Sequence, residues 1–212
     1  MSKAIIFDFD GVIVLSEHVR FHALQQSAKK YGLHIDNDQF KNINGRTTKY
    51  FFNMSFPELD EAVLDKIIVN YTKEYKDKIV DLVTPVTATI EFIKEYAGPK
   101  LLAVASGSTT VMLDTVLNHI GILDKFICVL GQEHVTKHKP DPEVYNLAAR
   151  QLGCSNEDCI VIEDTVLGAE AAISAGMPVY IFLNGVNRKI DFEHMKVAGF
   201  LETYEQVCHA LA

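Results

Sequence analysis

KAIIFDFDGVIVL, residues 3–15, is the stretch that decides how the rest of the chain is read. Residues 4–9 form a continuous apolar run that closes in Asp8-Phe9-Asp10-Gly11. A run that does not alternate apolar with polar fits a strand covered on both faces, as in a parallel sheet. Similar runs recur at residues 101–105, 126–130, 159–162 and 179–183. Helical patterns separate the later ones, at residues 109–120, 142–152 and 166–175. In the first of these, Val111, Leu113, Val116, Leu117 and Ile120 make the apolar face, and Gly121 stands where the helix should end. Strand and helix in alternation predict an α/β fold, a Rossmann-like parallel sheet with right-handed crossovers.

Outward from the opening strand the pattern changes. Roughly seventy residues follow with helical periodicity and no strand, more than a crossover needs. Residues 17–31 form one predicted helix and residues 57–83 another. The second carries Leu64, Ile67, Ile68, Tyr71, Tyr75, Ile79 and Leu82 on one stripe. The expected organisation is a helical domain, residues 16–83, inserted into a core made of residues 1–15 and 84–212. The linkers fall near Leu15 and Thr84-Pro85.

Composition narrows the function classes. The 212 residues are 48% hydrophobic and 23% charged, and 20 basic against 28 acidic residues give a net charge of −8. That balance argues against nucleic-acid or anionic-membrane partners, whose phosphates call for excess Lys and Arg. A small phosphorylated metabolite needs only one local cationic pocket. The N-terminal apolar run is broken by acids, unlike a secretory signal, and no stretch is long enough to span a bilayer. Cys128, Cys154, Cys159 and Cys208 lack zinc-site spacing and a disulfide framework, and Cys128 and Cys159 sit in apolar runs as small hydrophobes. A cytoplasmic protein is expected.

In open α/β sheets the ligand site lies beyond the carboxyl ends of the strands. The polar residues that follow the first four runs are Asp8 and Asp10, then Ser106-Gly107-Ser108, then Lys137-His138-Lys139-Pro140, then Glu163-Asp164-Thr165. Taken singly, each has a plainer reading as a turn, a helix cap or a solvated loop. Taken together and in order, they bring carboxylates, a hydroxyl and a lysine to one edge. Two carboxylates about 4 Å apart repel by roughly 4 kcal/mol at an effective dielectric near 20. A divalent cation and a nearby lysine would relieve that repulsion.

The segments DFDGV (8–12), VASGS (104–108), KHKPDP (137–142) and VIEDT (161–165) resemble the four motifs of the haloacid-dehalogenase-like superfamily. The likeness spans essentially the whole chain. It is greatest to the subgroup of β-phosphoglucomutase and small-molecule phosphatases, in which a helical cap follows the first strand. The resemblance implies that Asp8 attacks phosphorus to form an aspartyl-phosphate. It makes Asp10 the general acid and base. Ser106 and the Gly107 N–H would bind phosphoryl oxygens, and Lys139 would neutralise charge. Lys137 is the rival lysine; the family's Lys-Pro pairing favours Lys139. Mg²⁺ would be held by Asp8, the Asp10 main-chain carbonyl and Asp164, with Glu163 as a ligand or orienting neighbour. Dehalogenases of this fold lack the second aspartate, because a halide leaves without a proton, so dehalogenation is disfavoured.

The cap departs from the subgroup. Arg20 stands where a histidine is common, and His22 lies two residues on. In the substrate-facing loop around Gly45 the mutases place arginine three residues after the glycine, where this chain has Thr48; Arg46 and Lys49 are the candidate replacements. These changes favour a phosphatase over a phosphomutase. A metal-binding regulatory domain without turnover is the remaining alternative.

Overall fold

An apolar run covered on both faces makes the first strand an interior element. All four residues of β1 (Ala4–Phe7) are wholly buried. In the computed structural model, which describes residues 3–41 and 48–204, the strands that follow are β2 (Val14–Leu15), β3 (Thr84–Pro85), β4 (Leu101–Ala105), β5 (Cys128–Leu130), β6 (Cys159–Glu163), β7 (Val179–Phe182) and β8 (Gly199–Leu201). Six of them form one sheet in the order β5-β4-β1-β6-β7-β8, and every pairing in it is parallel. β1 lies between β4 and β6, so its end faces both neighbours' ends. The α/β parallel sheet expected from the apolar runs is the fold observed.

Contacts divide the chain into two compact units, Met1–Leu15 with Thr84–Ala212, and Ser16–Val83. In the first unit the helices are α5 (Thr87–Tyr96), α6 (Thr110–His119), α7 (Glu143–Leu152) and α8 (Val166–Ser174), counted after the four of the second unit. They bury Val144, Tyr145, Ala148, Ala149 and Ala171 against the sheet. β2 and β3 pair antiparallel, Val14 with Pro85 and Leu15 with Thr84, where the chain leaves this unit and returns. The loop between β1 and β2 is tied down by buried Thr89 of α5, whose hydroxyl donates to the Val12 carbonyl at 2.7 Å.

The second unit holds α1 (Glu17–Lys29), α2 (Asn37–Lys41), α3 (Thr48–Ser55) and α4 (Glu61–Leu82). Leu24, Ala28, Ile35, Phe51, Phe52, Leu64 and Ile67 form its interior. α4 begins later than the stripe suggests. Asp60 caps it, accepting the N–H groups of Ala62 at 2.9 Å and Val63 at 3.2 Å, which leaves residues 57–59 outside. Leu82, expected on the buried stripe, is 46% exposed in the last turn.

Other boundaries also shift. β1 stops at Phe7 rather than at residue 9, and β5 starts at Cys128 rather than at 126. Phe126 lies before that strand and packs edge-on against Phe7, with centroids 6.2 Å apart. α5 and β8 had no counterpart in the sequence pattern. Among the described residues no helix is long and apolar enough to cross a membrane.

Candidate active site

The end of β1 delivers Asp8 into the interior, 6% exposed, with its N–H bonded to the Ile162 carbonyl of β6 at 2.9 Å. A carboxylate so placed needs a partner. Lys139, from the loop before α7, supplies it: its Nζ donates to Asp8 Oδ1 at 2.7 Å, to Glu163 Oε1 at 2.6 Å and to the Ala105 carbonyl at 3.1 Å. Lys137 meets Asp141 at 3.7 Å with its side chain 73% exposed. Of the two lysines, Lys139 is the one that reaches the strand ends.

Glu163, the last residue of β6, is 1% exposed and saturated with donors. Besides Lys139, the Tyr145 hydroxyl donates to Oε1 at 3.0 Å. Oε2 accepts from the N–H groups of Asp164 and Thr165, at 2.8 and 2.9 Å, and from the Thr165 hydroxyl at 3.0 Å. Gly168, in the first turn of α8, makes room for it, since a Cβ there would collide with the Glu163 carboxylate. Burial opposes the charge on Glu163, but Lys139 and these hydrogen bonds outweigh it and hold the carboxyl below its usual pKa. For Asp8, burial prevails over the pull of Lys139 and pushes the carboxyl up to about 7. Burial, with Glu163 and Asp8 nearby, also raises Asp164 well above the ordinary carboxylate range.

Asp164 is therefore the group whose charge is least provided for. Asn184 donates to its Oδ2 at 2.8 Å, while Oδ1 is buried with no hydrogen-bond partner among the described residues. An orphaned buried oxygen of this kind is rare and calls for an explanation. Asp8, Glu163 and Asp164 each offer a carboxylate oxygen within 4.8 Å of the others. Oxygen donors in a tight acidic group suit a hard divalent cation. The residues fit such an ion, with Asp164 Oδ1 the best placed acceptor and Glu163 already engaged by Lys139.

The β1–β2 loop carries Asp10 over this edge. Gly11 adopts φ +83°, and a Cβ on it would strike the Asp164 carboxylate, so the position requires glycine. Asn184 also donates to the Gly11 carbonyl, at 3.1 Å, and links this loop to Asp164. Asn187 donates to the Asp164 carbonyl at 2.7 Å. From β4, Ser106 is 3% exposed and its Oγ accepts the Ser108 N–H at 3.1 Å. The Ser108 hydroxyl donates to Asp10 Oδ2 at 2.8 Å. Gly107 is exposed between them. The first N–H of α6, on Thr110, goes to Glu133 Oε1 at 2.9 Å.

Asp8, Asp10, Ser106, Gly107, Lys139, Glu163 and Asp164 thus come together at one sheet edge. Tyr145, Asn184, Asn187 and the Ser108 hydroxyl join them without having been singled out. Asn184 could have been found, since it is the first polar residue after the run at 179–183, as Asp8 is in the first. Arg20 lies on α1 and Lys49 on α3, in the other unit, where Lys49 pairs with Glu61 at 3.1 Å on the surface. Gly45 and Arg46 lie outside the described residues.

Comparison with known proteins agrees with this architecture. The chain is 31% identical over 175 residues to the fructose-1-phosphate phosphatase YqaB of Escherichia coli, covering 82% of this chain and 92% of that one. It is 25% identical over 183 residues to β-phosphoglucomutase of Bacillus subtilis, covering 82% and 80%. The crystal structure of CbbY from Rhodobacter sphaeroides in complex with phosphate superposes with a TM-score of 0.84 at 20% identity, over 98% of this chain and 96% of that one. The family model described as haloacid dehalogenase-like hydrolase matches residues 5–182, and the chain belongs to that family.

Proposed function

We propose that the protein is a Mg²⁺-dependent phosphatase that hydrolyses a small phosphomonoester, of the sugar-phosphate class, through an aspartyl-phosphate. The observation that carries this reading is the Asp8–Lys139–Glu163 contact beside the orphaned oxygen of Asp164. A nucleophilic carboxylate held by a lysine, next to a place for a cation, is what transfer of a charged phosphoryl group requires. Likeness to a fructose-1-phosphate phosphatase supports the substrate class.

In this reading an Asp8 oxygen attacks phosphorus while Lys139 holds the nucleophile in place and offsets charge on the transferring group. Ser106 and the Gly107 N–H bind the phosphoryl oxygens. Asp10 gives a proton to the departing oxygen and later takes one from the attacking water, a contribution of roughly 100- to 10,000-fold. Asp8, Asp164 and the Asp10 carbonyl would hold Mg²⁺, with Glu163 beside them. When bound, the ion neutralises phosphate charge and fixes its orientation. Residues 16–83 serve as a cap over the substrate, with Arg20, Gly45, Arg46 and Lys49 as its candidate contacts, and the protein works in the cytoplasm.

The test is phosphate release from a panel of metabolite phosphates with and without Mg²⁺, alongside Asp8→Asn. Release that needs Mg²⁺ and falls at least a thousandfold in the variant supports the reading. Undiminished turnover by the variant refutes the mechanism. The likeness to β-phosphoglucomutase keeps a mutase as the second reading. It is favoured if a sugar phosphate with its bisphosphate is isomerised without phosphate release. A regulatory domain without turnover does not account for a lysine buried between two carboxylates.

A further inference from the structure

We propose that Ser108 is a positioning residue that fixes which oxygen of Asp10 delivers the proton to the leaving group. The proposal rests on the reading of Asp10 as general acid. The Ser108 hydroxyl donates to Asp10 Oδ2 at 2.8 Å, across 98 positions of sequence. Its own backbone is held on both sides: the N–H donates to Ser106 Oγ at 3.1 Å, and the carbonyl accepts the Gln132 N–H at 2.9 Å.

A serine immediately before a helix usually caps it, but Ser108 stands one residue further out. Here the cap position of α6 is Thr109, which makes no side-chain cap hydrogen bond, and the Thr110 N–H is taken by Glu133. The Ser108 hydroxyl therefore serves Asp10 and not the helix.

The consequence is geometric. The χ2 torsion of an aspartate is broad and nearly two-fold, so its two oxygens exchange readily. A fixed donor on Oδ2 breaks that symmetry. With the Ser108 hydroxyl donating to Oδ2, the transferred proton is assigned to Oδ1 in this proposal. In the first step an Asp8 oxygen bonds to phosphorus and the ester P–O bond breaks. Its electron pair goes to the leaving oxygen, which takes the proton from Asp10 Oδ1. Ser108 keeps its own proton throughout and holds the resulting carboxylate by the same contact. Holding a proton donor in one orientation accounts for a large share of what a general acid contributes.

The experiment compares kcat/KM for fructose 1-phosphate, whose alkoxide must be protonated, with that for p-nitrophenyl phosphate, whose phenolate leaves unaided. Hydrolysis of the shared aspartyl-phosphate does not enter kcat/KM, so the ratio isolates the first step. Ser108→Ala is expected to lower the value about tenfold or more for the sugar phosphate and less than about twofold for the aryl ester. Ser108→Thr, which keeps the hydroxyl, is expected to restore most of the loss. Equal losses on both substrates, or no loss on either, overturn the proposal. Asp10→Asn separates the two claims. If it shows the same selective loss, larger in size, the general-acid reading stands whatever Ser108 does. If its loss is equal on both substrates, that reading fails and the proposal falls with it.

Discussion

At the carboxyl ends of β1, β4 and β6 a lysine side chain 13% exposed lies between two carboxylates, and a third carboxylate has an oxygen without a partner among the described residues. In the unit of residues 16–83 the interior is phenylalanine, leucine and isoleucine, and the ion pairs Lys30–Glu74, Lys49–Glu61 and Lys73–Asp77 lie on the surface. The two regions share a chain but not a purpose. Burying charge costs several kcal/mol per ion even when the partners are good, so a fold selected for stability alone would not concentrate it. The helical unit shows the ordinary solution, apolar inside and charged outside. The strand-end edge departs from it, and that departure is what makes the edge the candidate functional site.

The two regions should differ most at Lys139. Lys139→Ala leaves Asp8 and Glu163 buried without their cation. Activity should fall at least a hundredfold, and stability by about 3 kcal/mol or more, read by steady-state kinetics and urea unfolding. A stable, active variant would mean that water or rearrangement satisfies both carboxylates. In the helical unit the corresponding loss comes from an apolar residue. Phe51, fully buried and 5.1 Å from Phe52, should cost about 3 kcal/mol as Phe51→Ala, because the packed interior cannot refill the space.

A smaller effect comes from the buried carboxyl of Asp8. Asp8 is pushed up to about 7 by burial from its ordinary 3.8, so the metal-free folded chain keeps a proton that the unfolded chain has lost. Its stability should fall as pH rises from about 4 to about 7, since the native state binds more protons across that window. A bound divalent cation requires the carboxylates ionised. The thermal shift given by Mg²⁺ should therefore be larger at pH 7.5 than at pH 5; a shift independent of pH would contradict this. The least effect is expected at Lys49→Ala. Its surface pair with Glu61 contributes little, and the melting temperature should change by no more than about one degree.

Much of the strand-end edge was legible because the sheet's rule is local: an apolar run ends and the next polar residue stands at the edge. That rule reached Asp8, Ser106 and Glu163 and would have reached Asn184. It could not choose between Lys137 and Lys139, whose difference is tertiary, one exposed and the other drawn under the sheet edge. Tyr145 was hidden because a tyrosine on the buried face of α7 reads as core, and only the fold brings its hydroxyl to Glu163. Ser108 was hidden for the opposite reason, since a local cap explains a serine before a helix. The helical unit was readable in outline from its periodicity, but not at its boundaries, which depend on the Asp60 cap and on α2 and α3, too short to carry a clear pattern.

In the proposed mechanism Asp8 carries the phosphoryl group. Rapid-quench labelling with a phosphorus-labelled sugar phosphate and Mg²⁺, followed by peptide mapping, tests it most directly. The account predicts transient label on the peptide containing Asp8, lost on mild base treatment and absent in Asp8→Asn. Turnover of the substrate with no protein-bound label at any quench time, or label retained in Asp8→Asn, would contradict it.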